Sequence, residues 1–321
     1  MIYVGDYLPI GIFHAIVGQP IIGNFECTLA NEKVVSGKAY ISVLPLDCVA
    51  NVVLGGFAAL SLANNHVYDA GPDAFIDMKD KLAATCPEIQ FFGTVDNPHA
   101  TLESEGKKVA VIGALEKCRS RGGLIFKEED VEKLIQDIRG QFDAVYVYPH
   151  WGKEGEYTWW PSPRQRKLAR RWIDAGADGV VGSHSHVFQG RELYKGKPIY
   201  YSLGNFYFPH PESKLYEGTD VGLCVDIEDG KVEERFVRNG VLIEEASEIK
   251  KLKKLIESIS EPLKDWTTWK WARAVGPFNL KKNLASWKIR LRKNFVKTLP
   301  KFLVWQILPK TVLFRLASLW R

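Results

Sequence analysis

SPRQRKLARRWIDAGADGVVGSHSH, residues 162–186, carries a helix, a buried strand and a pair of imidazoles in immediate succession. Ser162 is an N-cap residue, Pro163 suits the first helical position and Gln165 completes a capping box. Leu168, Ala169, Trp172 and Ile173 form one apolar stripe, and Gly176 ends the helix. Ala177 to Val181 is then a short run of the kind buried on both faces of a sheet. It delivers Gly182-Ser183-His184-Ser185-His186, two potential metal ligands one residue apart at a strand's carboxyl end.

The same unit recurs outward from this stretch. Ile2–Val4, Pro20–Phe25, Phe57–Ala63, Ile89–Phe92, Lys108–Ala114, Asp143–Tyr148 and Gly179–Val181 read as strands. Asp73–Ala84, Glu128–Arg139 and Pro163–Ala175 read as helices between them. Such alternation predicts an α/β fold with functional residues at strand ends. After Asn205 the pattern becomes strand on strand, Val221–Ile227 and Val232–Leu242 around a Glu228-Asp229-Gly230 turn.

The 321 residues are 46% hydrophobic and 25% charged, ordinary for a globular chain. The net charge of +5 hides an asymmetry. From Lys250 onward there are 18 Lys and Arg against 3 acidic residues, which leaves 25 basic and 35 acidic residues before it. This predicts an acidic body over 1–245 and a basic, Trp-rich tail of short amphipathic helices over 246–321. Cys27, Cys48, Cys86, Cys118 and Cys224 are odd in number and form no CxxC pair, so they read as free thiols. No basic leader precedes the first strand and no run approaches the ~20 apolar residues of a membrane span. The expected location is cytoplasmic, peripheral on the inner face of the membrane.

Ligand-type residues gather at the predicted strand ends: Asp6; Asn24 and Glu26; Asn64, Asn65, His66 and Asp69; His150; His184 and His186; and Asn205. Singly, each has a structural explanation, as a turn residue or a buried histidine. Together they place four of the seven histidines at strand ends, beside carboxylates and amides. Two divalent cations about 3.5–4 Å apart need a bridging carboxylate. Mn, Zn or Fe accept mixed oxygen and imidazole ligands. The pattern therefore points to a hydrolase with two divalent metal ions.

Leu62-Ala63-Asn64-Asn65-His66-Val67-Tyr68-Asp69, His150-Trp151-Gly152, Gly182-Ser183-His184-Ser185-His186-Val187 and Pro198-Ile199-Tyr200-Tyr201-Ser202-Leu203-Gly204-Asn205-Phe206 resemble the bacterial capsule-synthesis CapA family. That family is associated with poly-γ-glutamate capsule and belongs to the calcineurin-like metallophosphoesterase superfamily. The resemblance covers about residues 1–240 and implies a sandwich of two mixed β-sheets flanked by helices. It implies one metal on Asp6, Glu26 and His186, and a second on Glu26, Asn65, His150 and His184. It also implies that His66 is a general acid oriented by Asp69. Asn205 would support the site or contact substrate. The sequence departs from the pattern where Tyr7 and Leu8 follow Asp6, since the wider superfamily has Asp-x-His there.

Arg164 is the helix residue best placed to reach an anionic group. Lys153, Glu154, Tyr157, Trp159 and Trp160 read as a loop over the site, whose aromatics stack on substrate or pack beneath the loop. The implied activity is metal-dependent hydrolysis of a phosphoester or an anionic polymer in capsule or envelope synthesis. The alternative is a non-catalytic accessory subunit that scaffolds a membrane-associated synthesis complex. Residues 266–321 hold 13 Lys or Arg, no acidic residue and six of the ten tryptophans. An anionic membrane surface, or packing on the body or a partner protein, suits that composition. Nucleic acid ranks below both, because no recognition motif accompanies the charge.

Overall fold

The computed structural model describes residues 1–11, 20–31, 41–116, 125–152, 155–209, 216–228, 230–265 and 267–276. Its strands are β1 (Ile2–Tyr7), β2 (Ile21–Phe25), β3 (Thr28–Leu29), β4 (Val43–Leu44), β5 (Phe57–Ser61), β6 (Gln90–Phe92), β7 (His99–Ser104) and β8 (Lys107–Leu115). They continue with β9 (Ala144–His150), β10 (Gly179–Val181), β11 (Arg191–Tyr194), β12 (Lys197–Tyr200), β13 (Asn205–Tyr207), β14 (Val221–Glu228), β15 (Lys231–Arg238) and β16 (Val241–Leu242). The helices are α1 (Val49–Val53), α2 (Pro72–Thr85), α3 (Val131–Ile138), α4 (Pro163–Asp174) and α5 (Ala246–Ser260).

One sheet runs β16-β15-β14-β1-β2-β5-β6, with β13 also paired to β1, and a second runs β11-β12-β10-β9-β8-β7. Both mix parallel and antiparallel pairs. The alternation of side chains along each strand assigns the layers. Val109, Val111, Tyr146 and Tyr148 face inward and meet Tyr3, Ile22 and Ala59 of the first sheet. Ala110, Ile112, Val145 and Val147 face outward and are covered by Val131 and Ile135 of α3 and Trp172 of α4. On the other side, Phe75, Met78 and Leu82 of α2 cover Val4, Ile21 and Leu60. The result is the expected sandwich of two mixed sheets with helices on both outer faces.

Helix α4 begins at the predicted capping box: Gln165 N donates to Ser162 Oγ at 3.2 Å, and Ser162 N donates to Gln165 Oε1 at 2.8 Å. Helix α3 starts at Val131, later than the predicted Glu128. Strand β7 escaped the sequence reading. Its polar, half-exposed pattern is that of an edge strand, and it leads into β8 through the Glu105-Gly106 turn. Of the expected tail, 277–321 and Trp266 lie outside the described residues. The 245/246 division falls at the start of α5, whose Ile256 and Ile259 are buried in the inter-sheet core. Among the described residues no helix is long and apolar enough to cross a membrane.

Strand β1 is central and irregular. Its pairing with β2 shifts register between Tyr3 and Asp6, a bulge of the type that re-aims side chains. Gly5 sits in that bulge, and Asp6 N donates to Gly204 O at 3.0 Å. A Cβ on Gly5 would stand 1.7 Å from Gly204 O, a backbone atom that cannot swing aside. We expect Gly5→Ala to destabilise the protein by at least about 3 kcal/mol, the upper end of overpacking costs. Chemical denaturation measures it; a loss below about 1 kcal/mol would show that the bulge yields.

A candidate metal centre where both sheets end

The carboxyl ends of parallel strands from both sheets converge. Asp6 lies near the end of β1, flanked in register by Asn24 of β2 and Asn205 of β13. Glu26 follows β2, Asn64, Asn65 and His66 follow β5, and His150 ends β9. His184 and His186 follow β10. The turn after β10 is unusual: His184 has φ 101° and His186 φ 59°, both in the left-handed region that non-glycine residues avoid. Such conformations persist only where the surroundings over-determine them. Here Ser183 N donates to Pro149 O at 2.9 Å, and His184 N donates to Asp6 Oδ2 at 3.3 Å. The fold converts the alternate spacing of the two histidines into convergence on one point.

Asp6, Glu26, His150 and His184 are at most 1% exposed, and His186 is 4% exposed. Asp6, Glu26 and His186 each offer a ligand atom within 4.8 Å of the others, and so do Glu26, His150 and His184. Glu26 belongs to both groups: its Oε1 lies 3.5 Å from His150 Nε2 and 3.8 Å from His186 Nε2. Burial pushes the Asp6 carboxyl above its ordinary range, against the opposing pull of His186 and hydrogen bonds that include Glu26 and Asn24. Two buried carboxylates side by side are costly without a cation, and a bound cation inverts that balance. The donor set of carboxylate oxygens and imidazoles suits a borderline divalent ion.

His150, His186 and His66 are each oriented by neighbouring polar side chains. His150 Nδ1 lies 3.2 Å from Ser183 Oγ and 3.1 Å from Asn24 Nδ2, and its Nε2 lies 2.5 Å from Asn65 Oδ1. His186 Nδ1 lies 2.9 Å from Asn205 Oδ1, while Asn205 Nδ2 donates to Thr219 O at 2.8 Å. Asn205 thus links His186 to the backbone at Thr219. His66 Nδ1 is 2.6 Å from Asp69 Oδ2, and Ser42 N donates to the same oxygen at 2.8 Å. Asp69 is fully buried and His66 is 12% exposed, so the imidazole has a solvent-facing part and a fixed tether.

Arg164 is engaged by acids of the protein itself. It pairs with Glu128 and with Glu116 Oε1, at 3.1 Å for Glu116. Glu116 Oε2 in turn accepts from Gly152 N at 3.1 Å. Arg164 therefore braces the loop after His150, with its charge matched by two carboxylates. Trp159 stacks edge-on against Phe188, as in the packing reading. Lys153 and Glu154 lie outside the described residues.

The sequence reading assigned no role to Asn24 or Asn64. Asn24 is fully buried, and its Nδ2 donates to Asp6 Oδ1 at 2.8 Å. Asn64 Nδ2 donates to Phe25 O at 2.6 Å, and Asn64 Oδ1 accepts from His66 N at 3.0 Å. The available signal was their position, each directly beside a ligand-type residue at a strand end.

Fold and site together define an α/β sandwich protein with a buried carboxylate–imidazole centre at its strand ends. The chain belongs to the bacterial capsule synthesis protein PGA_cap family, whose model matches residues 18–210. That segment contains every expected ligand except Asp6. The chain is 36% identical over 180 residues to the capsule biosynthesis protein CapA of Bacillus anthracis, covering 50% of this chain and 43% of that one. It is 34% identical over 164 residues to the PGA biosynthesis protein CapA of Bacillus subtilis, covering 47% and 43%. A probable polyglutamine synthesis accessory protein of Mycobacterium tuberculosis is 29% identical over 169 residues, covering 45% and 43%. The aligned part thus spans less than half the length of these relatives. Among solved structures, a novel phosphatase from Mycoplasma pneumoniae aligns with TM-score 0.45 and 13% identity over 78% of this chain and 95% of that one. A putative 5'-nucleotidase from Staphylococcus aureus aligns with TM-score 0.45 and 15% identity over 74% and 49%.

Proposed function

We propose that this protein is a metal-dependent hydrolase of phosphoesterase type, acting in the synthesis of a capsule or another envelope polymer. The observation that carries this reading is the pair of buried ligand groups that share Glu26. Asp6, Glu26 and His186 would hold one divalent ion; Glu26, His150 and His184, with Asn65 beside His150, would hold the other. When bound, such a pair lowers the pKa of coordinated water and neutralises charge developing on phosphoryl oxygens. The chain's own residues do the rest. Asn24, Ser183 and Asn205 fix the imidazole orientations, and burial excludes bulk water. His66, tethered through Nδ1 to Asp69, keeps Nε2 available to deliver a proton to a leaving oxygen.

The substrate we propose is a phosphoester or an anionic polymer. The partner proposed for 266–321 is an anionic membrane surface or a membrane-bound synthesis complex, which places the protein on the inner face of the membrane. One feature favours the accessory-subunit reading. Leu8, where the wider superfamily's motif has a histidine, is fully buried in the apolar core. The first group therefore has one imidazole fewer.

Elemental mass spectrometry on protein supplied with Mn or Zn, alongside hydrolysis of a simple aryl phosphodiester, tests the choice. About two ions per chain, with turnover abolished by chelator, is the expected result. Tightly held metal without turnover on any phosphoester would favour the accessory reading, and no metal at all would end the hydrolase reading.

A further inference from the structure

We infer that Tyr157 is a positioning residue for His186, and that the turn beginning at Tyr216 holds it in place. The inference rests on the metal-site reading above and names residues that neither the motifs nor the expected ligand set include.

Tyr157 has φ 63°, a left-handed conformation that a bulky aromatic residue pays for in strain. Its backbone is held there by Tyr157 N donating to Ser185 O at 2.8 Å, so the strained residue is tied directly to the turn between His184 and His186. The outcome is a flat contact. The Tyr157 ring stacks on the His186 imidazole with centroids 5.2 Å apart and planes 22° from parallel. Tyr216 also stacks with the Tyr157 ring, with centroids 3.9 Å apart and planes 12° from parallel. Phe208 meets His186 at 4.8 Å, tilted by 44°.

The segment that supplies Tyr216 reaches His186 by a second route. Thr219 Oγ1 donates to Tyr216 O at 3.0 Å, and Thr219 O accepts from Asn205 Nδ2, whose Oδ1 lies against His186 Nδ1. The turn itself is locked by a close approach. Gly218 has φ 82°, and a Cβ there would stand 2.1 Å from the Trp159 ring. Tyr157 and Trp159 thus come from one loop, Tyr216 and Thr219 from another, and both loops converge on one imidazole.

The chemistry explains why this histidine needs it. The group of Asp6, Glu26 and His186 has one imidazole, whereas the two-histidine group of His150 and His184 shares its load. An imidazole free to rotate about χ1 and χ2 loses ordering entropy when it binds an ion, and a ring stacked in place has already lost it. Residues that orient a ligand from behind commonly change metal affinity by roughly 10–100-fold.

The test is Mn²⁺ titration of the full chain, wild type beside Tyr157→Ala and Tyr157→Phe. Both variants place a non-glycine residue at the same backbone angle, so they differ in the ring alone. The expected result is two Mn²⁺ in wild type and Tyr157→Phe, while Tyr157→Ala keeps one ion and binds the other about 10–100-fold more weakly. Equal weakening of both ions would mark a general structural role and overturn the inference, as would unchanged binding. If wild type binds no metal, the metal-site reading falls, and NMR of the histidine rings in metal-free protein decides the positioning. There, a Tyr157→Ala spectrum in which only His186 moves towards the position of an unstacked imidazole supports the inference. A His186 signal that stays in place overturns it.

Discussion

Glu26→Gln is expected to reduce bound metal from about two ions per chain to less than one, and turnover with it. Glu26 is the one residue common to both ligand groups, so its removal cannot be confined to one ion. Gln keeps the volume and one carbonyl oxygen but loses the charge that offsets two adjacent cations. The same change should have the opposite effect on the metal-free fold. Glu26 and Asp6 are both fully buried, and burial already pushes the Asp6 carboxyl up. Replacing one carboxyl by a neutral amide relieves that strain. In chelator, Glu26→Gln should therefore be more stable than wild type by about 1–2 kcal/mol. Elemental analysis reads the first effect and denaturation in EDTA reads the second. A variant that binds two ions normally would remove Glu26 from its bridging position.

His66→Ala is expected to lower turnover by roughly 10²–10⁴-fold, the usual contribution of a positioned general acid, with metal content unchanged. His66 stands in neither ligand group, and its Nδ1 is engaged with Asp69. Asp69→Asn should lose less. The Asp69 oxygen that faces His66 also accepts from Ser42 N, and an amide oxygen can keep that bond and hold the turn. The loss should be smallest on substrates with good leaving groups, such as nitrophenolates, which depart without protonation. A uniform loss across leaving groups would make His66 a binding residue instead. Loss of metal together with activity would assign it to the metal shell.

Much of the architecture was legible because the strands are buried on both faces. Gly179–Val181 is the same in sequence and structure, since apolar Val180 and Val181 are bounded by Asp178 and Gly182. Strand β7 was not legible, because the half-exposed residues of an edge strand carry no continuous apolar run. Strand β1 extends to Tyr7 rather than Val4, so Asp6 lies within the strand, and only the bulge beside Gly5 turns it into the site. Local pattern cannot report a bulge that depends on Gly204, which is remote in sequence.

The site divides in the same way. The carboxylates and imidazoles are explicit in their residue type, and Asp6, Glu26, His150, His184 and His186 are brought together. Asn24 stands among the strand-end residues in the sequence, but its particular role is visible only once Asp6 and His150 both come within reach of its amide. The acids that pair with Arg164 are invisible to a reading of its own helix turn. Glu116 and Glu128 are distant in sequence and adjacent in space.

Helix α5 decides where this protein can be shortened. Ile256 and Ile259 sit among Phe188 and Phe236 between the sheets, and Leu263 closes the outer layer near Trp172. A Cβ on Gly190 would meet Ile259 O at 2.7 Å, so backbone lies directly on backbone there. The composition shift at 245/246 is thus an electrostatic border and not a mechanical one. Basic character begins on a helix that still belongs to the core. A fragment ended at 245 would forfeit four buried aliphatic side chains, Ile256, Ile259, Leu263 and Val275, each worth about 1.5–3 kcal/mol. One ended at 265 would part with the cationic stretch and with Val275, and keep Ile256, Ile259 and Leu263.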